Sequence, residues 1–353
     1  MNRLGISRGA QSVSFVACLN DEIVNLRRAK RFGQQLRTMS ARNSFMAFLC
    51  ACGKHELALR ELTPRLVGDY QQWLIDNGVK RNSSSCYMRT LQSVYNKAVA
   101  QTQCPDCRQD NPFAKVYRGI AKTRKRAASI DVMQRLCALD IRAGLIGQGH
   151  DPRRKTFARL LRRLEFARDL FVFSYCARGM AFVDMAYLRW ADVQGGVVRY
   201  ARRKTGQHME VAVEPMMQAI IDHYSARIDE RHYVFGILPD ADDETVYRAY
   251  RTALRVYNAH LKMLSAMLGE DVCLTSYVAR HSWASNMHEL HMPLSVISEG
   301  LGHDSELTTR IYIKSLENSV IHKANRAFLN QIFARPFLSQ ERDKTPMHTA
   351  KYT

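Results

Sequence analysis

Basic side chains interrupt three otherwise apolar or well-patterned segments of the sequence. Arg178 follows the apolar stretch Leu170–Ala177. The second segment is a β-rich hairpin with three basic residues near its turn, Arg202, Arg203 and Lys204. The third is a run of short helices with basic and aromatic side chains, which are Arg280, His281, His303 and Tyr312. A buried arginine is costly unless it is paired or receives an anionic ligand. These segments are therefore candidates for a site that acts on an anion.

The whole chain carries the same positive bias. Its 353 residues include 52 Lys and Arg against 33 Asp and Glu, which gives a formal net charge of +19. Such an excess indicates a polyanionic partner, and composition alone leaves DNA, RNA and an acidic membrane surface open. The hydrophobic fraction of 46% is ordinary for a protein with a buried core.

The order and spacing of the motifs resemble those of the tyrosine recombinases, the phage-integrase family. The motifs that carry the resemblance are ARGM at 177–180, LRWADV at 188–193, RKTG at 203–206, RHSWA at 280–284, LGHD at 301–304 and TTRIY at 308–312. Each motif alone is weak. Together, in this order and with Tyr312 nine positions after His303, they are specific.

The resemblance implies that DNA strands are cleaved and rejoined without a metal or other cofactor. Arg178 and Arg280 would hold the oxygens of a phosphodiester, because a guanidinium is a planar fork that stays charged. Tyr312 would be the nucleophile that forms a covalent 3′-phosphotyrosine, and Lys204 the general acid for the leaving 5′ oxygen. His303 would hydrogen-bond a phosphate oxygen or position the site.

Tyr277 departs from the family pattern, which has a histidine three residues before the second arginine. A tyrosine donates a hydrogen bond to phosphate but is a poor proton acceptor near neutral pH, since its reference pKa is about 10. We therefore predict that Tyr277 contacts or orients the phosphate, and that the role of the base is weakened or is supplied by water.

Each residue also has a structural interpretation. Arg178 could pair with a core acid, either Asp184 or Asp192. Lys204 could be a solvated turn residue, and Tyr312 a half-buried core aromatic. The joint occurrence of the motifs makes these interpretations unfavourable as a set.

The elements that must position these residues are mostly helices. Thr63-Pro64 predicts a helix start, Ser129 is a possible cap, and Val197–Val213 is patterned as a β-hairpin with a turn at Thr205-Gly206. We expect a mainly α, two-domain DNA clamp, in which a helical SAM-like core-binding domain joins an α+β catalytic domain with a small β-sheet. The expected boundaries are an N-terminal tail at 1–12, the core-binding domain at 13–117, a basic linker at 118–128, the catalytic domain at 129–335 and a flexible tail at 336–353.

Other classes of protein are excluded by pattern. Leu170–Ala177 is far shorter than the roughly 20 residues of a membrane span, and the N-terminus lacks a secretory pattern. The nine cysteines are odd in number and scattered, which favours a reducing compartment, the cytoplasm. Cys104 and Cys107 form a lone CxxC motif without a second ligand pair, so no metal site is predicted.

The sequence thus predicts a site-specific DNA recombinase of a mobile element, acting as a homo-oligomer, a tetramer on synapsed double-stranded DNA. The residues expected to contact DNA outside the reaction are Arg118, Lys122, Arg124, Lys125, Arg126, Arg202 and Arg203. Two alternatives remain open: a topoisomerase of the type IB kind with the same chemistry, and a non-catalytic, sequence-specific DNA-binding regulator.

Overall fold

Four helices build the first half of the chain. The structure, a computed structural model, describes residues 13–102, 111–121, 127–225, 232–269, 273–303 and 305–310. The helices are α1 (Phe15–Arg28), α2 (Phe32–Ala51), α3 (Pro64–Asp76) and α4 (Arg81–Thr102). Phe15, Phe45 and Tyr70 are fully buried at their centre, with ring centroids 5.8 Å apart for the first pair and 5.1 Å for the second. An aromatic core therefore holds this helical unit together.

The start of α3 confirms the helix start predicted from the sequence. The Thr63 hydroxyl accepts the N–H of Leu66 at 3.3 Å, and Pro64 occupies the first turn. A proline costs nothing there, because the first N–H groups of a helix have no partner within it.

The segment 111–121 is attached to α3 and α4. The Gln71 side chain bonds to both main-chain groups of Tyr117, at 3.3 and 3.4 Å. The Asn82 amide does the same for Ala121, at 2.7 and 3.1 Å. Part of the predicted linker 118–128 thus belongs to the first helical unit, and the connection to the second half begins after Ala121.

The second half consists of nine helices and a small sheet within the described residues. The helices are α5 (Ile130–Ala138), α6 (Ile141–Gly147), α7 (Lys155–Cys176), α8 (Phe182–Ala186), α9 (Pro215–Ser225), α10 (Asp243–Met267), α11 (Val278–Glu289), α12 (Leu294–Leu301) and α13 (Glu306–Arg310). α7 contributes Leu170, Phe171 and Phe173 to a large buried core. No helix in the described ranges is both long and apolar enough to cross a membrane.

The sheet has three antiparallel strands in the order β1 (Val193–Gln194), β2 (Val197–Ala201) and β3 (His208–Ala212). Val198 pairs with Val211, and both side chains are buried beneath the sheet. The predicted hairpin is therefore confirmed as β2–β3. Its turn carries Lys204.

Several contacts attach the linker and join the halves of the molecule, including the rings of Phe32 on α2 and Tyr247 on α10, whose centroids lie 5.4 Å apart. Ala128, where the chain enters the second half, donates its N–H to the Ser282 hydroxyl on α11 at 2.8 Å. Elsewhere, Arg27 pairs with Glu244 at 2.8 Å, and Lys30 pairs with Asp243 at 2.5 Å. The end of α1 and the start of α10 thus meet through opposite charges.

Candidate active site

Arg178 lies in a tight turn directly after α7. The Ser174 hydroxyl donates to the carbonyl of Met180 at 2.7 Å, and the Gly179 N–H donates to the carbonyl of Ser174 at 2.8 Å. The Arg178 backbone is left-handed, with φ 55°, which is uncommon for a residue other than glycine. Strained backbone of this kind is concentrated at functional sites, where the surrounding structure holds it.

The two acids considered as partners of Arg178 are engaged elsewhere. Asp184 accepts the main-chain N–H of Arg203 at 2.9 Å, and Asp192 accepts that of Arg189 at 2.8 Å. Within the part of the chain that the structure describes, Arg178 forms no ion pair with either carboxylate. The half-buried guanidinium thus lacks the core acid that the structural interpretation requires.

Arg280 joins the turn after α7 to the end of α12. This side chain is only 3% exposed. Its Nη1 donates to the carbonyl of Gly179 at 3.0 Å, and its Nη2 donates to the carbonyl of Leu301. The same Nη2 lies 3.2 Å from Nε2 of His303. Arg178, Arg280 and His303, which are far apart in the sequence, are therefore brought to one place.

Glycine is required beside Arg280. A Cβ on Gly179 would lie 2.6 Å from the Cα of Arg280, and the backbone there has φ 73°. No L side chain fits this position without displacing α11 or the turn. The glycine of the ARGM motif, its third residue, is thus explained by the close approach of two chain segments.

His303 is held at its other ring nitrogen. Nδ1 lies 2.8 Å from the hydroxyl of Thr309, which is fully buried on α13. The preceding Gly302 is left-handed, and a Cβ there would meet the sulfur of Met209 at 2.5 Å. The hairpin therefore packs directly against the turn that presents His303.

Lys204 is exposed on the turn of the β2–β3 hairpin. It lines a cavity of about 820 Å³ between the two halves of the molecule. The basic residues that line this cavity are Lys30, Arg31, Arg37, Arg189, Arg203 and Lys204, with Asp240 and Asp243 also present. The cavity concentrates positive charge beside the predicted general acid.

Asp184 fixes the hairpin turn to α8. It is buried, and burial raises the pKa of its carboxyl above the usual value. The hydrogen bond from the Arg203 N–H and the charges of Arg202, Arg280 and Arg203 act in the opposite direction on that pKa. Sequence reasoning considered Asp184 only as a partner of Arg178 and missed this contact, because no local pattern connects it to the hairpin.

The two tyrosines of the predicted site have different outcomes. Tyr277 directly precedes α11, is 43% exposed, and places its ring edge-to-face against His281 at 5.0 Å. It is thus accessible at the end of the helix that carries Arg280. Tyr312 lies outside the described residues.

The residues predicted to contact DNA are also in different settings. Arg118 donates to the Gln92 side chain on α4 at 2.6 Å, and Arg203 is exposed with its guanidinium 3.7 Å from the centre of the Tyr187 ring. Arg202 is 8% exposed and bonded within the protein, which disfavours a direct DNA contact. Lys122, Arg124, Lys125 and Arg126 lie outside the described residues.

The described residues contain no group of three or more His, Cys, Asp or Glu side chains arranged to hold a metal ion. The ligand pair Cys104 and Cys107 lies outside them. The site that the structure assembles contains guanidinium and imidazole groups held by backbone carbonyls, and the guanidinium groups suit the binding of an anion.

Two family models match the sequence. Residues 165–319 match the phage integrase family, and residues 14–116 match the phage integrase SAM-like domain. No relative was found among curated proteins. The chain therefore combines a helical N-terminal domain with a catalytic domain of the tyrosine recombinase type.

Solved structures with the same architecture support this assignment of the fold. A lambda integrase dimer bound to a COC′ core site has a TM-score of 0.57 at 15% identity, over 85% of this chain and 95% of that one. A lambda integrase tetramer bound to a Holliday junction has a TM-score of 0.58 at 15% identity, over 86% of this chain and 78% of that one. The Tn1549 transposon integrase in complex with circular intermediate DNA has a TM-score of 0.55 at 11% identity, over 90% of this chain and 99% of that one.

The fold class predicted from the sequence is thus confirmed. The chain belongs to the phage integrase family, the tyrosine-type site-specific recombinases.

Proposed function

We propose that the protein recombines double-stranded DNA through a covalent 3′-phosphotyrosyl intermediate and needs no metal. The observation that carries the proposal is the contact of Arg280 with both Gly179 and His303. It places the Arg280 guanidinium next to His303 and next to the turn that carries Arg178, so that two arginines and an imidazole belong to neighbouring segments. Positive groups that are already in place stabilise the charge that develops on a phosphate in the transition state.

The proposed cleavage step uses two further side chains. The Tyr312 oxygen attacks phosphorus and gives its proton to water, a bond from phosphorus to the tyrosine forms, and the bond from phosphorus to the 5′ oxygen breaks. Lys204 gives a proton to that leaving oxygen, which becomes a free hydroxyl. Rejoining is the reverse: a 5′ hydroxyl of the partner strand attacks the phosphotyrosine and releases Tyr312. His303 positions the site through its contacts with Arg280 and Thr309, and Tyr277 orients the phosphate.

DNA is the proposed partner, and a tetramer on two synapsed duplexes the proposed assembly. The net charge of +19 and the basic cavity beside Lys204 support DNA, and the solved tetramer of lambda integrase on a Holliday junction supports the assembly by analogy of fold. Arg203 and the basic residues between Arg118 and Arg126 are proposed to hold the DNA backbone. The cytoplasm remains the predicted compartment.

The chemistry is tested by trapping on a nicked suicide substrate, in which loss of a short 5′ fragment prevents rejoining. The wild-type protein should form a covalent protein–DNA adduct in the presence of EDTA, and Tyr312→Phe should form none while still binding DNA. An adduct that persists unchanged in Tyr312→Phe would refute the assignment of the nucleophile.

A second assay separates recombination from the two alternatives. Two cognate sites on one supercoiled plasmid give exchanged products with a recombinase, relaxed plasmid alone with a topoisomerase, and neither with a DNA-binding regulator. Exchange that requires both sites supports the proposal. Relaxation without exchange contradicts it.

A further inference from the structure

Arg202 occupies an unusual place for a basic residue at a hairpin turn. Its neighbours Arg203 and Lys204 are exposed, whereas Arg202 is 8% exposed. Its Nη1 donates to the carbonyl of Gly302 at 2.6 Å. This carbonyl belongs to the residue just before His303, so the guanidinium connects the hairpin to the turn that presents the imidazole.

The main chain of Arg202 also closes the turn that carries Lys204. Its N–H donates to the carbonyl of Gln207 at 2.8 Å, and its carbonyl accepts the N–H of Gly206 at 2.7 Å. A change in the position of Arg202 is therefore passed to Lys204, two residues away. Arg202 therefore fixes the hairpin at two places: its side chain bonds to Gly302, and its backbone closes the turn that carries Lys204.

The hairpin is held at a second point by Asp184, which accepts the N–H of Arg203 at 2.9 Å. The two attachments join the hairpin to two different segments of the site, since Asp184 follows the Arg178 turn and Gly302 directly precedes His303. The fit at Gly302 is tight, because a Cβ there would also meet the Gln207 side chain at 2.8 Å. A hairpin held at two points has little freedom to move Lys204 relative to the two arginines.

We infer that Arg202 is a positioning residue, which places Lys204 at the leaving oxygen by bonding the hairpin to the carbonyl of Gly302. The inference rests on the proposed function, in which Lys204 is the general acid. Arg202 itself touches neither DNA nor the reacting atoms. An arginine suits this task because its long side chain reaches across to the next segment while its planar head keeps a fixed direction.

A change of the leaving atom distinguishes positioning of the acid from a general structural role. In a substrate with sulfur in place of the bridging 5′ oxygen, the leaving group is a thiolate. Thiols have a pKa of about 8.5, so a thiolate leaves without receiving a proton, whereas an alkoxide needs one. A defect that lies in proton donation should therefore disappear on the sulfur substrate, and a defect in folding, DNA binding or phosphate binding should remain.

The experiment measures single-turnover cleavage of both substrates by the full chain at saturating protein. Lys204→Ala is the reference for loss of the acid. Arg202→Met removes the hydrogen bond but keeps a long side chain, and Arg202→Lys keeps the charge and a group that can donate to the carbonyl. Arg199→Met is the matched control, because Arg199 lies on β2, three residues before Arg202, is exposed, and in the described residues pairs with Glu210 across the hairpin. Thermal unfolding reports whether each variant is folded.

We expect Arg202→Met to cleave the oxygen substrate about 100-fold more slowly than wild type, the size of effect that a misplaced catalytic group produces. On the sulfur substrate, Arg202→Met and Lys204→Ala should both approach the wild-type rate. Arg202→Lys should cleave the oxygen substrate with a smaller loss of rate and should also approach the wild-type rate on the sulfur substrate. This second variant allows the test if Arg202→Met unfolds. Arg199→Met should match wild type on both substrates.

Two results would overturn the inference, and they are distinguishable. If Lys204→Ala recovers on sulfur but neither Arg202 variant does, Arg202 does not act through Lys204, and the proposed function is unaffected. If Lys204→Ala does not recover either, Lys204 is not the general acid, and that part of the proposed function fails together with the inference.

Discussion

Within the described residues, backbone carbonyls hold two arginines at the site. Arg280 donates to the carbonyls of Gly179 and Leu301, and Arg202 donates to that of Gly302. A carbonyl satisfies an N–H group without cancelling the positive charge of the guanidinium. These two contacts therefore fix the position of the Arg280 side chain without bringing a negative charge to it.

The contact between Gly179 and Arg280 predicts the effect of one added methyl group. Gly179→Ala should lose activity in the suicide-substrate assay and lose stability by about 1–2 kcal/mol for the left-handed backbone plus about 1–3 kcal/mol for overpacking. Urea unfolding and the rate of adduct formation measure the two effects.

Gly195→Ala is the control for this prediction. Gly195 is also left-handed, with φ 59°, but a Cβ there would meet nothing within 4 Å. This variant should show the backbone cost alone and retain full adduct formation. Equal loss of activity in both alanine variants would contradict the role given to the close contact.

The buried carboxyl of Asp184 predicts a pH dependence of stability. Because burial raises its pKa, the native protein keeps this proton at pH values where the unfolded chain has released it. Stability from this group is thus fully present below the unfolded pKa of about 3.9 and is lost as the pH rises through the folded pKa. Asp184→Asn has no carboxyl to ionise and so lacks this loss. The difference in unfolding free energy, Asp184→Asn minus wild type, should therefore increase from acid to neutral pH. Denaturant unfolding across this range tests it, and a difference independent of pH would contradict it.

At the scale of elements, local signals were predictable and contacts between segments were not. The start of α3 at Thr63-Pro64, the Ser129 cap, which accepts the N–H of Val132, and the hairpin at Val197 all depend on residues close in sequence, and all are confirmed. The two-residue strand β1 has no alternation long enough to detect.

For the site, too, the sequence predicted which residues take part but not which segments they contact. Motif order indicated Arg178, Arg280 and His303, and the structure brings these together. Nothing in the sequence distinguishes Arg202 from Arg203, yet one is buried against Gly302 and the other is exposed. That difference depends on a partner 100 positions away in the chain, so only the folded structure reveals it.

The attachment of segment 111–121 to α4 predicts a local loss of protection. Asn82→Ala removes both hydrogen bonds to Ala121, each of which contributes about 1 kcal/mol. Hydrogen exchange of the Ala121 amide should then become at least about tenfold faster, since 1.4 kcal/mol is a factor of ten. Asn77→Ala, which removes one local bond to Trp73 at the end of α3, should leave that amide unchanged. Equal exchange in both variants would contradict this role of Asn82.

At the scale of the whole molecule, charge acts in two ways between the halves. Basic side chains of both halves line the cavity beside Lys204 and repel one another, while the pairs of Arg27 with Glu244 and Lys30 with Asp243 attract. All four paired side chains are at least partly exposed, so salt weakens these attractions. The separation of the halves should therefore respond to single charges at this contact.

Charge reversal tests this contact. Arg27→Glu places like charges opposite Glu244, so the two halves should separate and the radius of gyration in small-angle X-ray scattering should rise. Combining Arg27→Glu with Glu244→Arg restores opposite charges and should return the radius to the wild-type value. A radius that is the same in all three proteins would show that the ion pairs do not hold the halves together.

The anchors at Ala121 and Ala128 set a geometric limit on any such opening. One is bonded to Asn82 of the first half and the other to Ser282 of the second. Seven peptide units join them, so their contour length is at most about 25 Å. While both anchors hold, the connecting chain limits how far the halves can separate beside the helix that bears Arg280, and it sets no such limit at the α1–α10 edge.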